Sequence, residues 1–339
     1  VSSSSTTGTL TWNFDSSTEP FNYLKSGETL TLTYTVRVTD SNNPAASAER
    51  AVVVNIAGTN DTPIVYTSFS GLNPTHTAYR GAPVQLFGTG SRALSIGTIE
   101  ADQKFNQVVL AVSNVTDGSA ENLVIAGSTV PLVAGTTNLA TGPVVTVTVS
   151  GSTATVTMDW ASGITPNDVN TLLCAIAYKN TKPAATVATR TVTLASITDN
   201  GGGAATLSGS LRTSAVSVIR ESVAPVVNSV TAPADGIYKA GDTLTFTVQF
   251  SEEVDVTGTP RIGLVIGSTT RFLNYASGSG TASLVFSYTL VLADTDNDGV
   301  ALGTAIELNG GTIRDLAGND LAPLTLANIP STAGIKVNL

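Results

Sequence analysis

Ser283-Leu284-Val285-Phe286-Ser287-Tyr288-Thr289-Leu290, then Asp294-Thr295-Asp296-Asn297-Asp298-Gly299, then Ala305-Ile306-Glu307-Leu308 read in order as strand, acidic loop and strand. Carboxylates at alternate positions, closed by a glycine, converge on a hard cation, and the glycine permits the sharp turn. An EF-hand would place helices on both sides and a bidentate Glu at the twelfth position. Here that position is Ala305, and the nearest acid is Glu307. The expectation is calcium in a β-protein, with the remaining ligands supplied from elsewhere in the fold. The plain alternative is a solvated Asp-rich turn.

The rest of the chain agrees with a β fold. Charged residues make up only 12% of the 339, about half the usual ~25%. Thr and Val favour strands, while Gly, Asn, Asp and Ser supply turns. Recurring apolar alternation and a positive mean hydropathy argue against disorder. The balance of 16 basic to 25 acidic residues, net −9, disfavours nucleic acid and anionic membrane surfaces as partners. No apolar run approaches the ~20 residues of a membrane span. With the single cysteine Cys174, no intrachain disulfide can form, and calcium is the alternative staple for an extracellular β-protein. No signal peptide is expected at the start, and Val1-Ser2-Ser3-Ser4-Ser5 reads as a cut inside a longer protein.

Two joints divide the chain, Gly58-Thr59-Asn60-Asp61-Thr62-Pro63 and Arg220-Glu221-Ser222-Val223-Ala224-Pro225. Each sets an acid shortly before a proline, which stiffens the joint and blocks ladder pairing across it. The modules expected are 1–62, 63–222 and 223–339, all-β tandem antiparallel sandwiches of Ig-like or cadherin-like type with at most one short helix. In the first, strands are expected at 8–14, 29–38 and 51–56. In the second, strands at 144–149 and 154–158 flank the hairpin turn Ser150-Gly151-Ser152-Thr153, with others at 107–112 and 190–194. Thr165 as cap, Pro166, and Val169, Leu172, Leu173 and Ile176 at helical spacing predict the helix.

Tyr23-Leu24-Lys25-Ser26-Gly27-Glu28-Thr29-Leu30-Thr31-Leu32-Thr33-Tyr34-Thr35-Val36, Val38-Thr39-Asp40 and Ile56-Ala57-Gly58-Thr59-Asn60-Asp61-Thr62-Pro63 together resemble the end of a VCBS-type repeat. Such repeats occur in giant bacterial surface adhesins of the RTX, type I secreted kind. They are usually longer on the N-terminal side. The resemblance therefore implies either a truncated module or partner strands upstream in the parent protein. The middle segment resembles cadherin-like modules of the same adhesins through Asp117-Gly118-Ser119-Ala120-Glu121-Asn122-Leu123, Ile176-Ala177-Tyr178-Lys179-Asn180-Thr181 and Thr198-Asp199-Asn200-Gly201-Gly202. The third resembles a bacterial Ig-like module through Gly236-Ile237-Tyr238-Lys239-Ala240-Gly241-Asp242, Phe250-Ser251-Glu252-Glu253-Val254, the loop at 294–299 and Asp315-Leu316-Ala317-Gly318-Asn319. That resemblance implies a sandwich with calcium at one or more loops.

The candidate metal ligands are Asp294, Asp296 and Asp298, then Asp315 and Asn319 in the following turn. Asn60 and Asp61 at the first joint, and Glu221 at the second, would ligate calcium between modules, with Glu252 or Glu253, and Asp40, as partners from neighbouring loops. Asp102, Asp117, Glu121 and Asp199 read one by one as solvated turn residues. His76, the only histidine, reads as a surface or loop residue, so no Ser-His-Asp or Cys-His pair has a second base. Cys174 reads as core. Trp12, Trp160 and Tyr178 read first as core, with a sugar-stacking platform as the alternative.

The resulting expectation is no enzyme, no catalytic residue and no organic cofactor. The chain is a Ca2+-stabilised segment of an extracellular bacterial adhesin, a rigid extender in cell adhesion and biofilm formation. Its partners are neighbouring modules of the same chain and a host or cell-surface glycan or protein. It is monomeric, with no membrane insertion. A glycan- or peptide-binding head in the middle module is the alternative.

Overall fold

A computed structural model describes residues 9–40, 45–66, 71–88, 93–140, 142–203 and 205–338. Residues 1–5, read above as a cut, lie outside them. The described chain is all-β with one α-helix. It divides into two compact units, one of 1–75, 83–179 and 189–217, the other of 76–82, 180–188 and 218–339.

In the first unit, Thr29–Thr39 and Ser47–Ala57 form an antiparallel hairpin. Asp40 closes its turn, its carboxylate accepting from the Ala46 N–H at 2.9 Å. The strand expected at 8–14 does not form over its described part, and Trp12 is exposed. An extended segment without a partner leaves its backbone groups to water, and propensity alone does not overcome that.

The remaining strands of this unit build a seven-stranded sheet, a four-stranded sheet and a small two-stranded one. At the centre of the large sheet, Phe105–Ser113 lies between Thr153–Ile164 and Ala188–Asp199. Period-two alternation sends Val108, Leu110 and Val112 inward, opposite Ala154, Val156 and Met158 on one side and Val192, Leu194 and Ile197 on the other. The four-stranded sheet adds Leu123, Ile125, Val130 and Tyr178 to the buried set.

The predicted hairpin turn joins Val144–Ser150 to Thr153–Ile164, with Gly151 at φ 59°. The helix spans Pro166–Ala175. Thr165 caps it by accepting the Asp168 N–H at 3.2 Å, and Val169 and Leu173 face inward. Cys174 is half-buried, its Sγ 3.6 Å from the Leu94 carbonyl, and burial pushes the thiol pKa up.

The second unit is a β-sandwich built around the fifteen-residue strand Thr243–Thr257. As far as Gln249 this strand pairs with Thr281–Thr289. A register shift follows, after which Val254 still pairs with Thr281, and from Val254 to Thr257 the strand also pairs with Thr312–Asp315. A long strand that bends at a bulge serves both layers of a sandwich. Leu244, Phe246, Val248, Phe250 and Val254 fill the core with Leu264, Leu273, Leu284, Phe286 and Ile335.

His76 corrects the sequence reading. It is fully buried in the strand Thr75–Thr77, where Nε2 accepts the Asn180 N–H at 2.9 Å.

Candidate metal centre

The inward stripe of Thr243–Thr257 carries one charged residue. Positions 244, 246, 248, 250 and 254 are apolar and buried, and position 252 is Glu. Glu253 points out, as strand geometry requires. In the facing strand, Ile313 and Asp315 point inward, and Asp315 is the register partner of Val254. Glu221 enters from the segment leading to the first strand of the sandwich.

Glu221, Glu252 and Asp315 each offer a carboxylate oxygen within 4.8 Å of the other two, and all three residues are buried. Three like charges at that spacing repel by roughly 3–4 kcal/mol per pair at a near-surface dielectric. Arg80 offsets part of this. Its Nη2 lies 3.2 Å from Glu252 Oε2, at ion-pair distance but without hydrogen-bond alignment. Burial, then the charges of Asp315 and Glu221, push the Glu252 carboxyl pKa up despite Arg80.

Asn319 completes the cluster. Its Nδ2 faces Asp315 Oδ2 at 2.8 Å, Glu221 Oε2 at 2.9 Å, the Glu221 carbonyl at 3.3 Å and the Val223 carbonyl at 3.4 Å. One NH2 group has two hydrogens to share among these oxygens. Carboxylates, carbonyls and an amide with no nitrogen or sulfur donor suit a hard cation such as calcium. The turn at 315–319 is closed by Asp315 Oδ1 accepting the Asn319 N–H at 2.8 Å, with Gly318 at φ 96°. A side chain at Gly318 would be strained.

The structure therefore brings together Glu221, Glu252, Asp315 and Asn319. Among the described residues, Asp294, Asp296 and Asp298 do not gather their carboxylate oxygens within 4.8 Å of one another as Glu221, Glu252 and Asp315 do. Asp294 Oδ1 accepts from Arg271 Nε at 2.8 Å, and Oδ2 accepts from the Tyr288 hydroxyl and the Val291 N–H, each at 2.9 Å. Burial opposes its charge, but these hydrogen bonds outweigh burial and lower its pKa. Asp296 Oδ1 accepts the N–H groups of Gly299 at 2.7 Å and Asp298 at 3.3 Å, and Oδ2 that of Gly267 at 2.7 Å. Asp298 is exposed. The loop is also laced to the last strand, the Asp296 and Val337 backbones bonding both ways at 2.7 Å.

The protein itself thus supplies partners to both oxygens of Asp294 and of Asp296. Asp296→Ala strands its N–H partners and is expected to cost about 1–3 kcal/mol. In urea denaturation the loss should be the same with calcium and with chelator.

At the first joint, the Asp61 N–H donates to Glu100 at 2.7 Å and Asn60 is buried against Asp199 and Gln103. Asp40 stays in its hairpin turn. Three acids expected to be solvated are buried. Asp117 and Glu121 pair with Arg190, and Asp199 lies beside Asn60. Asp102 is exposed as expected. The sequence reading missed Arg80. No local pattern marks it, whereas Glu252 is signalled by a charge in an inward stripe.

The sequence matches no known family model and no curated protein. Among solved structures, an I-band fragment from titin is similar at 8% identity, over 93% of this chain and 95% of that one, with a TM-score of 0.24. Titin domains z1z2, in complex with telethonin, are similar at 13% identity, over 80% and 100%, with a TM-score of 0.22. Domains 4–9 of surface layer protein SbsC give 8% identity, over 91% and 40%, with a TM-score of 0.18. At these scores the β-sandwich assignment rests on the strand pairing above.

Proposed function

We propose that this chain is a calcium-stabilised, non-enzymatic stretch of an extracellular bacterial adhesin, its β-modules acting as spacers in cell adhesion and biofilm formation. The observation that carries the reading is the buried cluster of Glu221, Glu252 and Asp315, offset by one partly exposed arginine. A cation there would tie the segment around 221–223 to the strand Thr243–Thr257 and to the turn at 315–319. Asn319 would turn its amide oxygen inward, and Arg80 would release Glu252 into the cation's hold. The adhesin assignment leans on the sequence resemblances and on the acidic, cysteine-poor composition.

Extracellular modules bind calcium with dissociation constants of about 10⁻⁴–10⁻³ M. Isothermal titration of the chelated chain is expected to give binding in that range, and Glu252→Gln to remove it from this site. Unchanged heats in that variant would sink the assignment.

A second reading, a glycan-binding head, draws on one feature of the first unit. A groove of about 680 Å³ is lined by half-buried Trp160 together with Asn106, Gln107 and Asp159. An aromatic face beside planar polar groups suits sugar stacking.

A further inference from the structure

A second group of buried oxygens lies wholly within the first unit, where three turns meet. Asn60 donates from Nδ2 to Asp199 Oδ1 at 3.1 Å and accepts at Oδ1 from Gln103 Nε2 at 2.6 Å. Asp199 Oδ1 also accepts the Gly201 N–H at 2.9 Å. Glu100 Oε1 accepts the Asp61 N–H at 2.7 Å. Each carboxylate is thus anchored by one oxygen.

The other oxygens are left over. Glu100 Oε2, Asp199 Oδ2 and Gln103 Oε1 have no hydrogen-bond partner among the described residues. Yet Glu100 and Asp199 are each 1% exposed and Gln103 is 5% exposed. A buried carboxylate oxygen and a buried amide oxygen both need a positive partner. Neither acid forms an ion pair among the described residues. The turns close tightly, since a Cβ at Gly201 would fall 1.7 Å from Asn60 Oδ1 and 2.5 Å from Gln103 Nε2. A cavity of about 530 Å³, lined by Glu100, Asp102, Gln103 and Lys104, opens beside Glu100 and Gln103.

We propose that Glu100, Asp199 and Gln103 form a second site for a hard divalent cation of the calcium class, with Asn60 as a positioning residue. The donor set is all oxygen and mixes carboxylate with amide, as calcium prefers. Water from the cavity would complete the shell. Burial, and then the charge of Glu100, push the Asp199 carboxyl pKa up despite the Gly201 and Asn60 hydrogen bonds. A bound cation would reverse that. The inference rests on the same cation chemistry as the Glu221 cluster and on none of its residues.

The test counts calcium bound by the full chain, stripped with chelator and then equilibrated with calcium. Wild type is compared with Glu252→Gln and with the pair Glu100→Gln and Asp199→Asn. The paired variant is expected to bind one equivalent fewer than wild type. Glu252→Gln should lose a different equivalent, and the two losses should add. In chelator the paired variant should melt no lower than wild type, because neutral amides relieve buried like charges, so the lost ion is not lost folding. If it binds as much calcium as wild type, the second site is overturned, whatever Glu252→Gln does. If it alone loses an equivalent, this site stands and the Glu221 cluster falls.

Discussion

Arg190→Met is expected to lower the unfolding free energy by about 3–5 kcal/mol, the cost of leaving buried carboxylates without their cation. Arg190, Glu121 and Asp117 have fully buried side chains. Nε of Arg190 donates to Glu121 Oε2 at 3.0 Å, and Nη2 reaches Glu121 Oε1 at 3.0 Å and Asp117 Oδ2 at 3.2 Å. The Tyr178 hydroxyl donates to Glu121 Oε2 at 2.7 Å, and the N–H groups of Thr116 and Asp117 donate to Oε1, each at 2.8 Å. Burial works against the Glu121 charge, but the Arg190 and other hydrogen bonds outweigh it and lower the pKa.

The sign of the acid response follows. A folded-state pKa below the unfolded value gives stability that is present above the unfolded value and lost as pH falls through the folded one. The first unit should therefore weaken progressively in acid, and Arg190→Met should remove much of that dependence. Adding Glu121→Leu to Arg190→Met should recover part of the loss, because a buried pair replaced whole costs far less than one broken in half. Guanidinium denaturation across pH measures all three. A loss below about 1 kcal/mol for Arg190→Met would contradict this account.

The second large effect is calcium's own. A ligand at a hundredfold excess over its dissociation constant stabilises the state it binds by about 2.7 kcal/mol per site. Calcium should therefore raise the melting temperature, by about 2–4 °C per kcal/mol in a domain of this size. Glu252→Gln should do the opposite of an ordinary core lesion. In chelator it removes a repelled, buried charge and should melt at or above wild type. In calcium it should fall behind.

Much of this fold could be read from the sequence. Period two in Thr-Leu-Thr-Leu-Thr-Tyr-Thr-Val at 29–36 and in Val-Thr-Val-Thr-Val at 145–149 sits in strands as read, and Thr165-Pro166 starts the helix. Thr9 to Phe14 has the same look without a partner, and strands are made by partners.

The Asp loop shows the limit of a motif. Its spacing specifies where the carboxylates begin, but Arg271 and Tyr288, brought from neighbouring strands, decide what Asp294 faces. Glu221, Glu252, Asp315 and Asn319 were all candidates, yet nothing local says that they meet. That depends on Thr312–Asp315 pairing with the far end of Thr243–Thr257. Glu100 carried no signal until its contact with the Asp61 backbone placed it.

The most direct measurement is thermal unfolding of wild type, Glu252→Gln and Asp296→Ala, each in excess calcium and in chelator. The account predicts a clear calcium increment in wild type, a reduced one in Glu252→Gln, and in Asp296→Ala a lowered melting temperature with the full increment. A full increment in Glu252→Gln, with the increment lost in Asp296→Ala, would contradict it and return the ion to the Asp loop.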